Sequence, residues 1–294
     1  MDQEDNDEQI NYLPITSAAT LWNCGNLDVS TEKTVYIASY PKSGTTWMQA
    51  CVYSLLSGGN EDFEHISDYS PFYEVDGTWL GGQGSVAERY VLNHRILGAR
   101  VFNTHLRWNK VAHGNAAIYI YLYRDGKDVV TSFYHHLSNQ ADSGGFEGTF
   151  EEFFEKWLDY KIVFGSWAQH IKNWITSARD PSNNILLIRY EDMKTDLLSC
   201  LSRVSTHLGC NYSAEELEAN IAPKVSFEYM KRNKHQFQPI SVEWRSGFEF
   251  IRKGAVGDSD NLFSPAQHEQ FASMLQREFP GGFDEWIRVN TASI

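Results

Sequence analysis

A cluster of residue types that bind phosphate lies in the segment YPKSGTTW, residues 40–47. Its charged and hydroxyl side chains are those of Lys42, Ser43, Thr45 and Thr46. The β-branched run of residues 34–39 comes before it and predicts a strand, and the residues after Gly44 predict a helix. A loop between a strand and a helix directs backbone N–H groups and the positive helix end at one place. The segment therefore predicts a cradle for an anion, in the simplest case a phosphate.

The order of residues in this loop differs from that of the nucleoside triphosphate loop, G-x-x-x-x-G-K-[ST]. In that loop the Lys follows the last Gly and the next hydroxyl holds magnesium. Here Lys42 precedes Gly44, no Gly begins the loop, and Thr45 takes the position of the Lys. A plain glycine-containing turn is the simplest alternative. One Lys and three hydroxyl side chains around a single Gly favour a binding loop instead.

The segment YPKSGTTW resembles the 5'-phosphosulfate loop of the cytosolic sulfotransferases. These enzymes use 3'-phosphoadenosine 5'-phosphosulfate (PAPS) as co-substrate and release PAP, the nucleotide without its sulfuryl group. The resemblance extends over residues 34–279 and implies an α/β fold with a central, mostly parallel sheet flanked by helices. It assigns the phosphosulfate to the loop residues Lys42, Ser43, Gly44, Thr45 and Thr46.

The composition is compatible with one large domain. Of the 294 residues, 42% are hydrophobic, which is enough for a substantial core. We expect an acidic disordered tail over residues 1–10 and the sulfotransferase domain over residues 11–294. The four cysteines include no C-x-x-C pair and are too few for a disulfide framework or a zinc site.

The charge balance and the hydropathy exclude several classes of partner. The 25 Lys and Arg against 38 Asp and Glu leave a net charge of −13, which argues against nucleic acid or an anionic membrane as partner. No apolar run has the length of a membrane span, and the N-terminal sequence MDQEDNDEQI is acidic, unlike a secretion signal. We therefore expect a cytoplasmic enzyme whose anion site is a local basic island.

A candidate base, His105, follows the second predicted strand, residues 99–104. A single His after a strand is more often structural, but ligands of open α/β sheets gather at the carboxyl ends of strands. The segment NTHL also resembles the K-T-H-L-P segment of the family, whose His is the catalytic base. Asn103 stands where the family usually has a Lys thought to hold the sulfuryl oxygens, so the resemblance implies catalytic roles for His105, Lys42 and Asn103.

Two further segments resemble the family's binding sites for the 3'-phosphate. The third predicted strand, residues 116–123, ends at Arg124 in R-D-G-K-D-V-V-T-S, and Ser132 follows eight residues later. A solvated charge cluster at a helix start is the plain alternative. Near the C-terminus, residues 252–258 resemble the motif R-K-G-x-x-G-D-W, although Ser259 replaces its Trp. The resemblance thus adds Arg252, Lys253 and Gly254 to Arg124 and Ser132.

The resemblance places adenine between two aromatic residues, Trp47 and Phe227. Val225 stands where the family commonly has a Thr, which leaves one cofactor contact open. Tyr190 ends the fourth predicted strand, residues 184–190, where the family has a Tyr that contacts adenine; a Tyr that caps a buried sheet edge is the alternative. We expect no metal ion, because the Lys and Arg side chains of the site supply the countercharge.

The resemblance implies transfer of a sulfuryl group from PAPS to a hydroxyl or amine of a small-molecule acceptor, by in-line displacement with a His base. Two alternatives remain open. One is a nucleotide-binding protein that has lost turnover. The other is a small-molecule kinase, against which the position of Lys42 and the missing magnesium ligands argue.

The acceptor pocket is expected beneath three irregular segments, residues 68–92, 138–148 and 236–250. The whole stretch 61–95 shows no clean helical or strand period. The three segments carry the aromatic residues Tyr69, Phe72, Tyr73, Trp79, Phe146, Phe237, Trp244 and Phe248. Their carboxylates are Asp68, Glu74, Asp76, Asp142, Glu147 and Glu243. These acids could favour a cationic acceptor, or could only solvate the loops.

The association state is predicted from residues 260–269. Many relatives dimerise through a K-x-x-x-T-V-x-x-x-E segment, of which only Glu269 is kept here. Asp260 reverses a charge, and Pro265 removes a backbone donor from a contact expected to be strand-like. We therefore expect a monomer or a dimer of a different kind.

Overall fold

The computed structural model describes residues 10–80, 84–142, 144–252, 254, 257, 259 and 262–292. In this part of the chain, four parallel strands form a sheet in the order β2-β1-β3-β4. The strands are β1, Thr34–Ser39; β2, Arg100–Thr104; β3, Ala117–Tyr123; and β4, Ile185–Arg189. The predicted α/β fold with a parallel sheet is confirmed, and each strand lies within a residue of its predicted position at either end.

The sheet is buried on both faces, which explains its nearly continuous apolar strands. All six residues of β1 are buried. On one face Tyr36 stacks on Tyr119 and Phe102, and on the other Val35 and Ile37 pack in a separate core. Helices therefore cover both faces and hold the strand ends in fixed positions.

The α-helices of the described residues lie before, between and after the strands. They are α1, Ala18–Asn26; α2, Thr45–Ser57; α3, Glu88–Leu97; α4, Gly126–Ser138; α5, Phe150–Leu158; α6, Trp167–Ala178; α7, Tyr190–Thr195; α8, Leu197–His207; α9, Ala214–Glu216; α10, Phe227–Arg232; α11, Pro265–Glu278; and α12, Phe283–Thr291. None of these helices is long and apolar enough to cross a membrane.

Most of helix α3 lies within residues 61–95, which the sequence predicts to be irregular, so that prediction is wrong for the end of this stretch. It buries Tyr90, His94 and Leu97, a helical spacing, but leaves Leu92 and Ile96 exposed. Because apolar residues stand on both sides of the helix, the sequence shows no amphipathic period. Gly98, in the left-handed conformation, ends the helix.

The start of α11 also differs from the expected strand-like contact. Pro265 is its first residue, and Ser264 and Gln267 form a capping box around it. A proline lacks the N–H that the first helical position leaves unpaired in any case, so it suits this position. Residues 260 and 261 lie outside the described part of the chain.

The strand order places the predicted site residues at one edge of the sheet. From β1 the chain passes to β2 on one side, and β3 then lies on the other side of β1. Ligands of parallel sheets bind at such a reversal, beyond the carboxyl ends of the strands. Residues 40–47, His105, Arg124 and Tyr190 directly follow the four strands and meet there.

Candidate active site

The predicted anion loop connects β1 to α2 with a backbone that needs Gly44. Gly44 is the N-cap of α2 with φ +104°, and a Cβ placed on it would lie 2.6 Å from Cδ2 of Tyr190. A side chain is excluded by both conformation and space. The Ser43 Oγ atom is buried without a hydrogen-bond partner among the described residues, although such a group normally has one. The loop therefore holds an unused donor at the start of a helix.

The predicted site residues line one cavity of about 560 Å³. Those that reach its wall are Lys42, Gly44, Thr45, Thr46, Trp47, Asn103, His105, Arg124, Ser132, Tyr190, Phe227, Arg252 and Gly254. The buried Ser43 is absent from the wall, and Lys253 lies outside the described residues. Residues far apart in the chain thus form a single site.

Three cations crowd one end of this cavity. Burial, together with the nearby Arg124 and Arg252, lowers the pKa of Lys42 to about 7. The Arg124 Nη1 atom donates to the Lys42 carbonyl at 3.2 Å, and its Nη2 atom pairs with Asp128 at 3.4 Å. Within the described residues, no group of three or more His, Cys, Asp or Glu side chains could hold a metal ion. This end of the cavity therefore suits a polyanion.

His105 also lines the cavity, and one hydrogen bond fixes the orientation of its ring. Its Nδ1 atom lies 2.8 Å from the Ser39 carbonyl oxygen. A carbonyl only accepts, so Nδ1 carries the proton and Nε2 is left with its lone pair. Burial and the charge of Lys42 lower the pKa of His105 to about 4. The hydrogen bond to Ser39 acts in the opposite direction and only partly offsets them. His105 is therefore neutral near pH 7 and can accept a proton.

The two aromatic residues predicted to hold adenine, Trp47 and Phe227, both line the cavity and share Lys194 as a neighbour. The Trp47 indole N–H donates to the Val225 carbonyl at 2.7 Å, so the backbone of Val225 holds the Trp47 ring. The Lys194 Nζ atom lies 5.8 Å from the Trp47 ring and 5.2 Å from the Phe227 ring. A Cβ on Gly254 would clash with the Phe227 ring. Gly254 thus packs directly against one ring of the predicted adenine pair.

Tyr190 begins α7 and does not end the fourth strand as the sequence predicted. Its ring contacts Gly44, lies edge-on to Trp47 with centroids 5.8 Å apart, and carries the Arg124 guanidinium 4.2 Å above it. The structure thus brings Tyr190 between the loop and Arg124, at the cavity wall.

Comparison with known proteins identifies the family. The sulfotransferase domain model matches residues 32–283. The chain belongs to the sulfotransferase family.

Two curated relatives of this sulfotransferase cover most of its length. Mouse sulfotransferase 1B1 is 31% identical over 282 residues, which are 92% of this chain and 90% of that protein. The amine sulfotransferase of rabbit, Oryctolagus cuniculus, is 34% identical over 257 residues, 83% of this chain and 80% of that protein. The chain is therefore a PAPS-dependent sulfotransferase.

Solved structures share the fold. Mouse sulfotransferase SULT7A1 complexed with PAP superposes with a TM-score of 0.72 and 24% identity over 96% of this chain and 95% of that one. Retinol dehydratase in a complex with retinol and PAP gives a TM-score of 0.71 and 23% identity over 88% of this chain and 84% of that one.

The residues of this sulfotransferase fit PAPS on three independent observations. Burial and the nearby Arg124 and Arg252 lower the pKa of Lys42, and bound phosphates would favour its charged form against both effects. The Ser43 hydroxyl is buried without a described partner. The close approach to Phe227 leaves no room for a side chain at Gly254, which has φ +57°.

Sequence reasoning missed His136 and Asp128. Both line the cavity with Ser132, and the three are spaced by four residues on one face of α4. The Lys42 ammonium donates to His136 Nδ1 at 3.1 Å, which fixes a neutral imidazole. Burial and the charges of Lys42 and His105 lower the pKa of His136 well below its usual value. Both residues could have been predicted from the sequence, because they lie four positions before and after Ser132 on a predicted helix.

All three segments predicted to form the acceptor pocket contribute to the cavity wall, for example through Val75, Gln140 and Ile240, but most of the side chains named in the prediction do not. Of the eight aromatic residues, only Phe72 and Phe237 line it. Of the six carboxylates only Asp68 does, while Glu74 is fully buried. The predicted set is therefore mostly wrong. The apolar wall comes from Leu13, Ile15, Val75, Phe133, Val163, Phe164 and Phe250.

Proposed function

We propose that this sulfotransferase transfers the sulfuryl group of PAPS to a hydroxyl or amine of a small acceptor, with His105 as the base. The observation that carries the proposal is the bond from His105 Nδ1–H to the Ser39 carbonyl. It leaves Nε2 as a proton acceptor on the wall of the cavity that also contains Lys42. When bound, PAPS supplies the sulfuryl group.

In this proposal His105 Nε2 takes the acceptor's proton as the acceptor oxygen or nitrogen bonds to sulfur. Lys42 offsets the charge gained by the bridging oxygen when its bond to sulfur breaks and both electrons stay with the 5'-phosphate. Arg124, Ser132, Arg252 and Gly254 bind the 3'-phosphate, with Lys253 as predicted from the sequence. Negative charge near Lys42 would raise the pKa of His105 from about 4 toward its ordinary range.

We propose a neutral, largely apolar acceptor. Two apolar rings pack on His105: Phe72 and Phe164 lie edge-on to the imidazole with centroids 5.3 Å away in each case. Among the described residues, two carboxylates line the cavity, and one of them, Asp128, is already paired with Arg124. Within this part of the chain, a cationic amine would then have only Asp68 as a countercharge, so we place amines second.

The test is an incubation with PAPS or ATP and a panel of neutral and cationic acceptors at low and high salt. We expect sulfate transfer from PAPS to an apolar alcohol or phenol, with a preference over cationic acceptors that salt does not alter. His105→Ala should abolish turnover while PAP still binds, and His113→Ala, at an exposed histidine, should change neither.

Two results would contradict the proposal. Binding of PAP without transfer to any acceptor would indicate the catalytically silent protein. Full activity of His105→Ala would exclude His105 as the base. A preference for cationic acceptors that high salt removes would overturn the neutral acceptor alone.

A further inference from the structure

Every polar group of His105 except Nε2 is held by a neighbour. Its backbone N–H donates to Glu74 Oε1 at 2.6 Å. Its backbone carbonyl accepts a bond from His170 Nε2 at 3.0 Å. Its Nδ1–H donates to Ser39 at 2.8 Å. The partners come from three separate parts of the chain, the segment before α3, helix α6 and strand β1.

Glu74 is a carboxylic acid in the interior of the protein, where such a side chain is uncommon. It has no exposed surface, and burial raises its pKa to about 8 despite the bonds it accepts. Its second oxygen, Oε2, is bonded to the Thr104 hydroxyl at 2.8 Å. One carboxyl group thus spans two consecutive residues at the end of β2. Burial of such a group is costly, and a purely structural position would suit an apolar residue better.

His170 is likewise buried and has a single possible tautomer. The carbonyl of His105 can only accept, so His170 Nε2 carries the proton. The Nδ1 atom then accepts from the Tyr121 hydroxyl at 2.9 Å. The ring stacks on Tyr121 with centroids 5.6 Å apart. Burial keeps the pKa of His170 near 3, so it stays a neutral donor in the working pH range.

We propose that Glu74 and His170 are positioning residues, which clamp the backbone of His105 from both sides so that Nε2 keeps its place in the cavity. The inference rests on the proposed function, in which His105 is the base. Neither residue reaches the reacting atoms. A base that shifts by about 1 Å can lose about 100-fold in rate, so the clamp should act on kcat.

The test compares variants in pairs. Glu74→Gln keeps an oxygen for the His105 N–H and places an amide N–H against the Thr104 hydroxyl, which can accept. It should retain kcat within about threefold, whereas Glu74→Ala should lower kcat by about 10- to 100-fold. His170→Phe should lower kcat similarly. KM for PAPS and Kd for PAP should stay unchanged in all three.

Two further variants separate positioning from general destabilisation. His94→Phe removes another buried histidine, which packs against Phe102 and does not contact His105, so kcat should not change. Tyr121→Phe removes one hydroxyl and loosens His170, and a fall of a few-fold in kcat is expected. It tests the clamp even where Glu74→Ala or His170→Phe does not fold.

A wild-type kcat in folded Glu74→Ala and His170→Phe would overturn the clamp and leave the proposed function intact. An equal loss in His94→Phe would also overturn it. If the wild type transfers no sulfuryl group, the proposed function fails. The ¹⁵N signals of the His105 ring then test the clamp independently of activity. One ordered tautomer in the wild type that becomes mixed in the variants supports the clamp, and unchanged signals overturn it.

Discussion

The charge of Lys42 depends on its surroundings in the cavity. Burial and the neighbouring Arg124 and Arg252 lower its pKa to about 7, and its Nζ atom contacts His136 Nδ1. Its backbone adopts φ +69°, which is uncommon for a residue with a side chain. A phosphate beside it would favour the ammonium form, so its pKa should rise when PAP binds.

We therefore predict proton uptake on PAP binding. Because the pKa is about 7 before binding and higher after it, affinity should be greatest below pH 7 and fall as pH rises above it. Calorimetry at pH 8 in two buffers of different ionisation enthalpy should show uptake of up to one proton. Lys42→Arg, which stays charged, should take up less. Equal heats in both buffers would contradict the prediction.

The 3'-phosphate should contribute strongly to binding. Arg124, Ser132, Arg252 and Gly254 line the cavity, and two of them carry a charge. Adenosine 5'-phosphosulfate lacks this phosphate and should bind more weakly than PAPS by about 2–4 kcal/mol. Titration of both nucleotides measures the difference. Equal affinities would show that these residues do not bind a 3'-phosphate.

Substitution of Asn103 tests how far Lys42 alone stabilises the negative charge of the sulfuryl group. Its Nδ2 atom donates to the Ser70 carbonyl at 2.8 Å and brings no charge to the cavity. Lys42 should therefore carry more of the stabilisation. We predict that Asn103→Lys preserves or raises the single-turnover rate, whereas Lys42→Ala nearly abolishes it. A fully active Lys42→Ala enzyme would refute this mechanism.

At the scale of elements, the junction between β1 and α2 couples stability to binding. Gly44→Ala places a Cβ at φ +104° and against Tyr190, so we expect a loss of about 1–3 kcal/mol in the free energy of unfolding and weaker PAP binding. The matched control is Gly58→Ala at the other end of α2, where φ is +70° and the nearest atom is the Tyr212 hydroxyl at 3.9 Å.

Denaturant unfolding and PAP titration check this prediction. Both variants should lose stability, because a side chain is strained at either position. Only Gly44→Ala should lose affinity for PAP. Equal affinity in the two variants would show that the loop geometry is not needed for binding.

At the scale of the whole molecule, we predict a monomer or a dimer that does not use residues 260–269. Pro265 is the first residue of α11, with Ser264 as N-cap, so the described residues 262–269 form no strand. Sedimentation should show a monomer or a dimer, and Pro265→Ala should change neither the mass of that species nor its stability appreciably. A stable dimer that dissociates when Pro265 or Glu269 is substituted would contradict the prediction.

The sequence could predict those parts of the fold and site that depend on neighbours in the chain. The β-branched and apolar run of residues 34–39 forms β1, and Gly44 opens α2. His105 and Arg124 follow strands and therefore had to lie at the same edge of a parallel sheet. Helix α3 escaped prediction because its exposed Leu92 and Ile96 hide the buried face.

The sequence by itself determined the chemistry that we propose for the site, because the predicted phosphate loop, the predicted base and the cationic segments each consist of a few adjacent residues. Only the tertiary structure decided what surrounds them. Glu74 and His170 stand 31 and 65 residues from His105, yet both contact its backbone. Such contacts arise where a loop and a helix pack on the sheet, and no local pattern encodes them. The same packing buried Glu74, which the sequence had placed in the acceptor pocket.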